Sequence, residues 1–279
     1  MRYNRHMFDP KPTKYPFPEN TDEHYLKIKK NNGAIFDENY PYIDDSLGFK
    51  FKSKMVRILL CTIVFPMTKF KLGLKIKGKQ NLKKHKKMLS SGAVVVSNHI
   101  HLWDYIAIMK AIRPKRSHVL TWAPNIRGEN GTLIRLVGGI PIPENDISGS
   151  ITFQKSVLKL LSDDQFVQIY AEGSMWEYYA PIRPFKTGAA YFSIKSGKPI
   201  LPMAFSYRKP SWIRKNIFKQ YASLTLNIGE PIFADKTLPG KEQEIELIQR
   251  CHQTICQLSG NTANIYQPLF NNSKRINYY

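Results

Sequence analysis

Two short stretches carry side chains whose types and spacing could do acid–base chemistry. The first is Ser97-Asn98-His99-Ile100-His101-Leu102-Trp103-Asp104, directly after Val94-Val95-Val96. The second is Ala171-Glu172-Gly173-Ser174, directly after Phe166-Val167-Gln168-Ile169-Tyr170. Imidazole titrates near neutral pH, so it can take a proton from a hydroxyl and later return it. It does this best when a carboxylate holds one ring nitrogen, fixing the tautomer and stabilising the imidazolium. Asp104 lies five residues after His99, and a turn between them can fold the carboxylate back onto the ring. No serine nucleophile is needed if the substrate hydroxyl itself attacks. The competing reading is that Asp104 only caps the helix it begins and His99 is an ordinary loop histidine. His101 competes with His99 as the base. The histidines 85, 99 and 101 have no i, i+4 partner and no neighbouring cysteine, so no metal site is expected.

The elements around these stretches alternate between strand and helix. Strands are expected at Phe70–Ile76, where apolar residues alternate with lysines, and at the continuous apolar run 93–96. Further strands are expected at 117–122, 140–142, 166–170, 200–205 and 224–228. Helices are expected at 104–112, 132–137, 151–161, 185–196 and 242–258, the fourth closed by Gly197. This alternation predicts an α/β fold with a mostly parallel central sheet and covering helices. In such sheets ligands bind beyond the carboxyl ends of the strands, so both stretches should open onto one edge.

Composition adds a partner class. The 279 residues carry 42 Lys and Arg against 21 Asp and Glu, a net charge of +21. Such a surplus implies an anionic partner. Between Asp45 and Asp104 there is no carboxylate and there are thirteen Lys and Arg residues, from Lys50 to Lys87. These bracket the apolar run Ile58–Met67, which is half of the roughly 20 residues a spanning helix needs. A basic amphipathic region that lies on an anionic membrane without crossing it is expected. No nucleic-acid-binding motif accompanies the charge, and no nucleic acid is expected. The N-terminus lacks the apolar segment of a signal peptide. Cys61, Cys251 and Cys256 are read as reduced thiols of a cytoplasmic protein attached peripherally to the inner face of the cell membrane. Residues 1–48 are expected to be an extension that packs on the domain or stays partly flexible, 49–260 the domain and 261–279 a tail.

Asn98-His99 with Asp104 resembles the N-H-x-x-x-x-D motif of the 1-acylglycerol-3-phosphate acyltransferases and related glycerolipid acyltransferases. Gly138-Gly139-Ile140-Pro141-Ile142 resembles that family's second block, and Glu172-Gly173-Ser174 its E-G-[ST]. Lys198-Pro199-Ile200-Leu201-Pro202 resembles its fourth block. Phe185-Lys186-Thr187-Gly188-Ala189 resembles the F-K-x-G-A that opens the intervening helix. The motifs run from Asn98 to Pro202, and the resemblance covers about residues 55 to 258. The resemblance implies a glycerolipid-acyltransferase fold and transfer of a fatty acyl group from acyl-carrier protein or acyl-CoA, without a cofactor. The acceptor would be a hydroxyl of a lysoglycerophospholipid such as 1-acylglycerol-3-phosphate. His99 would be the general base and Asp104 its orienting partner. Asn98, Glu172, Gly173 and Ser174 would line the acceptor site, with backbone donors near Gly173 helping the oxyanion. Pro199 and Pro202 would shape the strand and an acyl-chain tunnel.

Two departures concern the acceptor. Where the family places arginines after E-G-[ST] and at the end of the second block, this chain has Met175 and Pro143-Glu144. Arg183, Arg135, Arg127 or Lys186 would have to replace them as phosphate ligands, since a phosphomonoester needs a cation in a partly buried site. Otherwise the acceptor is a non-phosphorylated sugar, polyol or glycolipid, with Trp176 free to stack on it. A third reading is a non-catalytic protein that binds anionic lipid or nucleic acid.

Overall fold

The computed structural model describes residues 31–261 together with Phe8, Pro10, His24 and Ile28. Seven strands form one sheet: β1 (Lys75–Lys77), β2 (Ala93–Ser97), β3 (Ser117–Trp122), β4 (Gly139–Ile142), β5 (Phe166–Ile169), β6 (Ile200–Arg208) and β7 (Ser223–Ile228). Their order is β1-β7-β6-β2-β5-β3-β4. Every neighbouring pair is parallel except β6 and β7, which run antiparallel. The helices are α1 (Leu47–Leu59), α2 (Phe65–Lys71), α3 (Lys79–Lys84), α4 (Lys86–Leu89), α5 (Asp104–Ile112), α6 (Ala123–Arg127), α7 (Gly131–Leu136), α8 (Ile147–Ser162), α9 (Gly188–Ser196), α10 (Trp212–Asn216) and α11 (Gly240–Ser259).

The apolar runs of the central strands are buried on both faces, as a parallel sheet demands. Val94 and Val96 of β2 face one core with Leu160, Ala189, Ile248 and Ile255 from α8, α9 and α11. Ala93 and Val95 face the other, with Ala107, Ile108 and Ile112 of α5 and with Leu72, Leu74 and Leu89. The α/β expectation and the mostly parallel sheet are therefore what the chain adopts. Gly197 ends α9 at φ 67°, the left-handed conformation that a glycine reaches without a Cβ clash.

Three local expectations are corrected. The alternation from Phe70 to Ile76 is a strand only in its last residues, because α2 continues through Lys71. The helix expected from 185 begins at Gly188, since 181–187 forms an extended strap instead. The apolar run at 58–67 is part of a longer helical rod: α1 passes through a π-helical turn at Leu60–Val64 straight into α2. Among the described residues no helix is long and apolar enough to cross a membrane.

The segment before the rod is structural. Phe36 and Tyr42 are buried in the α8–α9 core, and the Tyr42 hydroxyl donates to the Phe36 carbonyl at 2.7 Å. The part of the expected tail beyond Asn261 lies outside the described residues.

The rod packs in an unusual sense. Its buried positions are Ser53, Leu60, Phe65 and Thr68, whereas Leu47, Phe51, Met55, Ile58, Leu59, Ile63, Met67 and Phe70 are exposed. At 100° per residue an unbroken α-helix would spread those eight over about 200°. The extra residue of the π turn takes back one step from Ile63 onward, leaving an arc of about 120°. Ser53 donates to Leu136 O at 2.8 Å and Lys110 to Phe65 O, so the side that carries Ser53, Leu60, Phe65 and Thr68 faces the domain.

Candidate active site

The register of the sheet brings the two reactive stretches together. Val96 of β2 pairs with Ile169 of β5 on one side and with Pro202 of β6 on the other. The chains leaving β2 and β5 therefore emerge side by side at the carboxyl edge, His99 from one and Tyr170-Ala171-Glu172 from the other. Asn98 fixes the exit of β2. Its amide donates to Phe205 O at 3.1 Å and accepts from Phe205 N at 2.8 Å. Asn98 is thus bound to β6 by both ends of its amide rather than turned toward a ligand.

Asp104 does not cap its helix. The N-cap of α5 is Trp103, which makes no side-chain cap bond. The Asp104 carboxylate instead turns back into the loop and is fully buried. Its Oδ2 accepts from Ile100 N at 2.7 Å and His101 N at 2.9 Å, and stands 3.1 Å from His99 Nδ1. The positive end of the α5 dipole favours the anion there. With Nδ1–H directed at Asp104, the lone pair of His99 lies on Nε2, and the side chain is 22% exposed. One face of the imidazole stacks on Tyr170, centroids 3.7 Å apart and planes 12° apart. Burial holds the Tyr170 phenol well above its ordinary pKa, so the ring against His99 stays neutral. Its hydroxyl and Asp104 Oδ1 are enclosed without a hydrogen-bond partner among the described residues.

His101 has a different task. Its Nδ1 accepts from Trp103 N at 3.0 Å, which shapes the turn before α5. Burial lowers its pKa, and the nearby Asp104 only partly offsets this.

The second stretch forms a buried network behind His99. Glu172 Oε2 accepts from His99 N at 3.2 Å and from Arg183 Nη2 at 3.0 Å, and Oε1 accepts from Arg183 N at 3.1 Å. Arg183 Nη1 donates to Ser174 Oγ at 2.7 Å, and Nη2 also donates to Ser174 O. The guanidinium lies over the Trp176 ring, 4.4 Å from its centroid. Arg183, Ser174 and Trp176 are all buried. Trp176 N donates to His99 O at 3.2 Å and Tyr178 N to Ile100 O at 2.9 Å, tying the two loops into a short ladder. Gly173 sits at φ 83° and donates its N–H to Tyr170 O at 2.9 Å.

Residues 73–206 match the family model described as Acyltransferase. This part of the chain is similar to the acyltransferase family. Over 121 residues, 42% of this chain and 48% of the relative, it is 27% identical to a 1-acyl-sn-glycerol-3-phosphate acyltransferase of Haemophilus influenzae. Over 140 residues, 50% of each chain, it is 24% identical to the human 1-acyl-sn-glycerol-3-phosphate acyltransferase beta. The chain thus spans about half the length of the curated relatives it matches. A solved structure, the 1-acyl-sn-glycerophosphate acyltransferase PlsC of Thermotoga maritima, aligns with a TM-score of 0.48 and 16% identity, covering 81% of this chain and 86% of that one.

The cations expected around the candidate site are dispersed. Arg183 is enclosed in the Glu172 network. Arg135 donates to Tyr42 O at 2.9 Å and Gly139 O at 3.1 Å and stands over the rings of Tyr40 and Phe49. Arg127 donates to Ala34 O at 2.9 Å and pairs with Glu144 at 2.7 Å. Lys186 does come to the site: its Nζ lies 3.2 Å from where a Cβ on Gly173 would stand. Trp176, expected to be free for stacking, is 1% exposed beneath Arg183. Tyr170 was not singled out by its sequence position, although a polar aromatic at the end of a buried strand, one turn before Glu172, was a readable sign.

Proposed function

We propose that this domain transfers a fatty acyl group from a thioester, on acyl-carrier protein or coenzyme A, to a hydroxyl of a lysoglycerophospholipid such as 1-acylglycerol-3-phosphate. The observation that carries the reading is the buried Asp104 carboxylate at 3.1 Å from His99 Nδ1. In this reading His99 Nε2 takes the proton of the acceptor hydroxyl as its oxygen attacks the thioester carbonyl. Asp104 stabilises the imidazolium. The tetrahedral intermediate collapses with cleavage of the carbon–sulfur bond, and the imidazolium protonates the departing thiolate. An ester and a free thiol result, and His99 is again neutral. Gly173 N–H is already bonded within its turn, so oxyanion stabilisation is assigned to other donors.

The phosphate of the acceptor is assigned to Lys186 rather than to Arg183 or Arg135. Its ammonium lies against Gly173, on the turn that follows Glu172, whereas Arg183 is enclosed in the Glu172 network and Arg135 lies against Tyr42 and Gly139. This favours the phosphorylated acceptor over a sugar or polyol, for which Trp176 would have been the stacking surface.

The reading includes peripheral attachment to the inner face of a cell membrane. The exposed apolar arc of the α1–α2 rod is flanked by Lys50, Lys52, Lys54, Lys69 and Lys71. Apolar burial with basic flanks suits an anionic bilayer.

The test is kcat/KM with labelled acyl-carrier protein and acyl-CoA, for 1-acylglycerol-3-phosphate against non-phosphorylated acceptors. Preference for the phosphorylated acceptor, abolished by His99→Ala, is expected. Equal turnover in folded His99→Ala protein would overturn the mechanism, and a preference for a neutral acceptor would overturn the substrate assignment.

A further inference from the structure

We infer that the segment Trp212–Tyr221 is a second membrane anchor, inserting Trp212, Ile213, Ile217 and Phe218 into an anionic bilayer beside the mouth of the His99 site. This rests on the peripheral-membrane part of the proposed function and on no part of its chemistry.

Four observations support it. Trp212 is 73% exposed, Ile217 61% and Phe218 59%, and they share one short excursion between β6 and β7. Isolated apolar residues on a surface are ordinary, but a cluster of this kind marks a contact. The chain has no carboxylate from Tyr178 to Gly229, while Lys209, Arg214, Lys215 and Lys219 surround the cluster. An apolar aromatic tip ringed by cations matches the headgroup level of an anionic bilayer, where tryptophan is favoured.

The excursion is also fastened to the rod whose apolar arc carries the membrane reading. Arg214 donates to Phe70 O at 2.6 Å and Lys69 O at 2.7 Å, and Gln220 donates to Lys71 O at 2.8 Å. These carbonyls end α2, where a helix leaves acceptors open and favours a cation. Two acid-free stretches distant in sequence thus meet at Phe70, itself 67% exposed. Finally, the excursion adjoins the catalytic loop. His101, Tyr178 and Tyr221 form a chain of rings with successive centroids 5.7 Å apart. On the same loop Leu102 is 63% exposed. With the rod on one side and α10 beyond its end, the bilayer would be met next to the groups that must receive a lipid hydroxyl. Isoleucines at the tip distinguish this from a base-stacking surface for nucleic acid, which uses aromatic faces.

The experiment uses the full chain with vesicles of phosphatidylglycerol and phosphatidylcholine, with and without brominated acyl chains. The wild type should show bromine quenching of tryptophan fluorescence, and Trp212→Phe should lose most of it, since Trp103, Trp122 and Trp176 remain. Trp212→Ala with Phe218→Ala should weaken vesicle binding by at least about tenfold, as burial of two aromatic side chains implies. Its thermal melt and its rate with a water-soluble short-chain thioester and acceptor should be unchanged. Undiminished quenching in Trp212→Phe, or unchanged vesicle affinity in the double variant, would overturn the proposal. So would a loss confined to binding of RNA or of an acidic carrier protein. Absence of acyl transfer with soluble substrates would count against the chemistry and leave the vesicle result to decide the anchor.

Discussion

The guanidinium of Arg183 and the carboxylate of Glu172 meet 3.0 Å apart, 1% and 3% exposed, directly behind the peptide nitrogen of His99. The pair holds the backbone on which the imidazole stands. Removing one partner strands a buried charge, which costs about 3–5 kcal/mol. Arg183→Met should therefore lower unfolding free energy by about that amount, and pairing it with Glu172→Gln should recover part of the loss. Denaturant melts of the two single variants and the double variant measure this. Strictly additive losses would show that the two residues do not act as a unit.

Asp104→Asn should reduce turnover by about 10²–10⁴-fold, the range of general acid–base support. The amide oxygen can take the place of Oδ2, accepting from Ile100 and His101 N–H and from His99 Nδ1, so the loop should persist while the negative charge that stabilises the imidazolium is lost. Steady-state kinetics beside a circular-dichroism melt separates the two effects. Tyr170→Phe keeps the stacked ring and should stay close to wild type, whereas Tyr170→Ala should not.

Gly173 stands at φ 83°, where a Cβ is strained by about 1–2 kcal/mol. In Gly173→Ala the new methyl would also meet the Lys186 side chain at 3.0 Å and displace its ammonium. KM for the phosphorylated acceptor should rise, and Lys186→Ala should raise it by about 10–150-fold, the value of one hydrogen bond to a charged group. A neutral acceptor should be indifferent to Lys186→Ala. Equal effects on both acceptors would remove Lys186 as the phosphate ligand.

His118 predicts an acid-side weakness. Desolvation lowers its pKa to about 4, although the side chain bonds Gln165 Oε1 at 2.7 Å. An unfolded histidine titrates near 6.5, so between about 4 and 6.5 the unfolded chain binds more protons. Its contribution is complete above the unfolded value and is lost as pH falls through that window. His118→Gln should flatten the decline of melting temperature between pH 6.5 and 4. An unchanged slope would assign the decline to other groups.

The sheet was legible because its buried strands are short apolar runs set off by turns, and six of the seven emerge close to their expected places. The first failed for a physical reason: Phe70 and Leu72 alternate with lysines, yet Phe70 lies within α2 and Leu72 is its C-cap. His99 and Asp104 could be read together because both lie in one loop. The Glu172–Arg183 pair could not, since eleven residues and a strap separate them and a buried guanidinium looks the same in sequence as a ligand-binding one. Arg135 and Arg127 misled for a related reason. They hold the segment carrying Phe36 and Tyr42, which composition alone presented as an extension.

The π turn at Leu60–Val64 sets a frame. One residue beyond the α-helical count keeps Ile63, Met67 and Phe70 in line with Leu47, Phe51 and Met55. Deleting Thr62, whose hydroxyl bonds Ile58 O and Leu59 O, would let the turn close as regular α-helix with both halves still in phase, whereas inserting one serine after it would disturb that phase while leaving charge and apolar content untouched. That insertion would swing everything on one side of it by about 100° relative to the other. The domain-facing bonds at Ser53 and Lys110 hold both halves, so the rod would have to unwind or let go of one end. A protein of nearly identical composition would then present two short apolar faces in place of one long one, and vesicle flotation would report phase, not hydrophobicity.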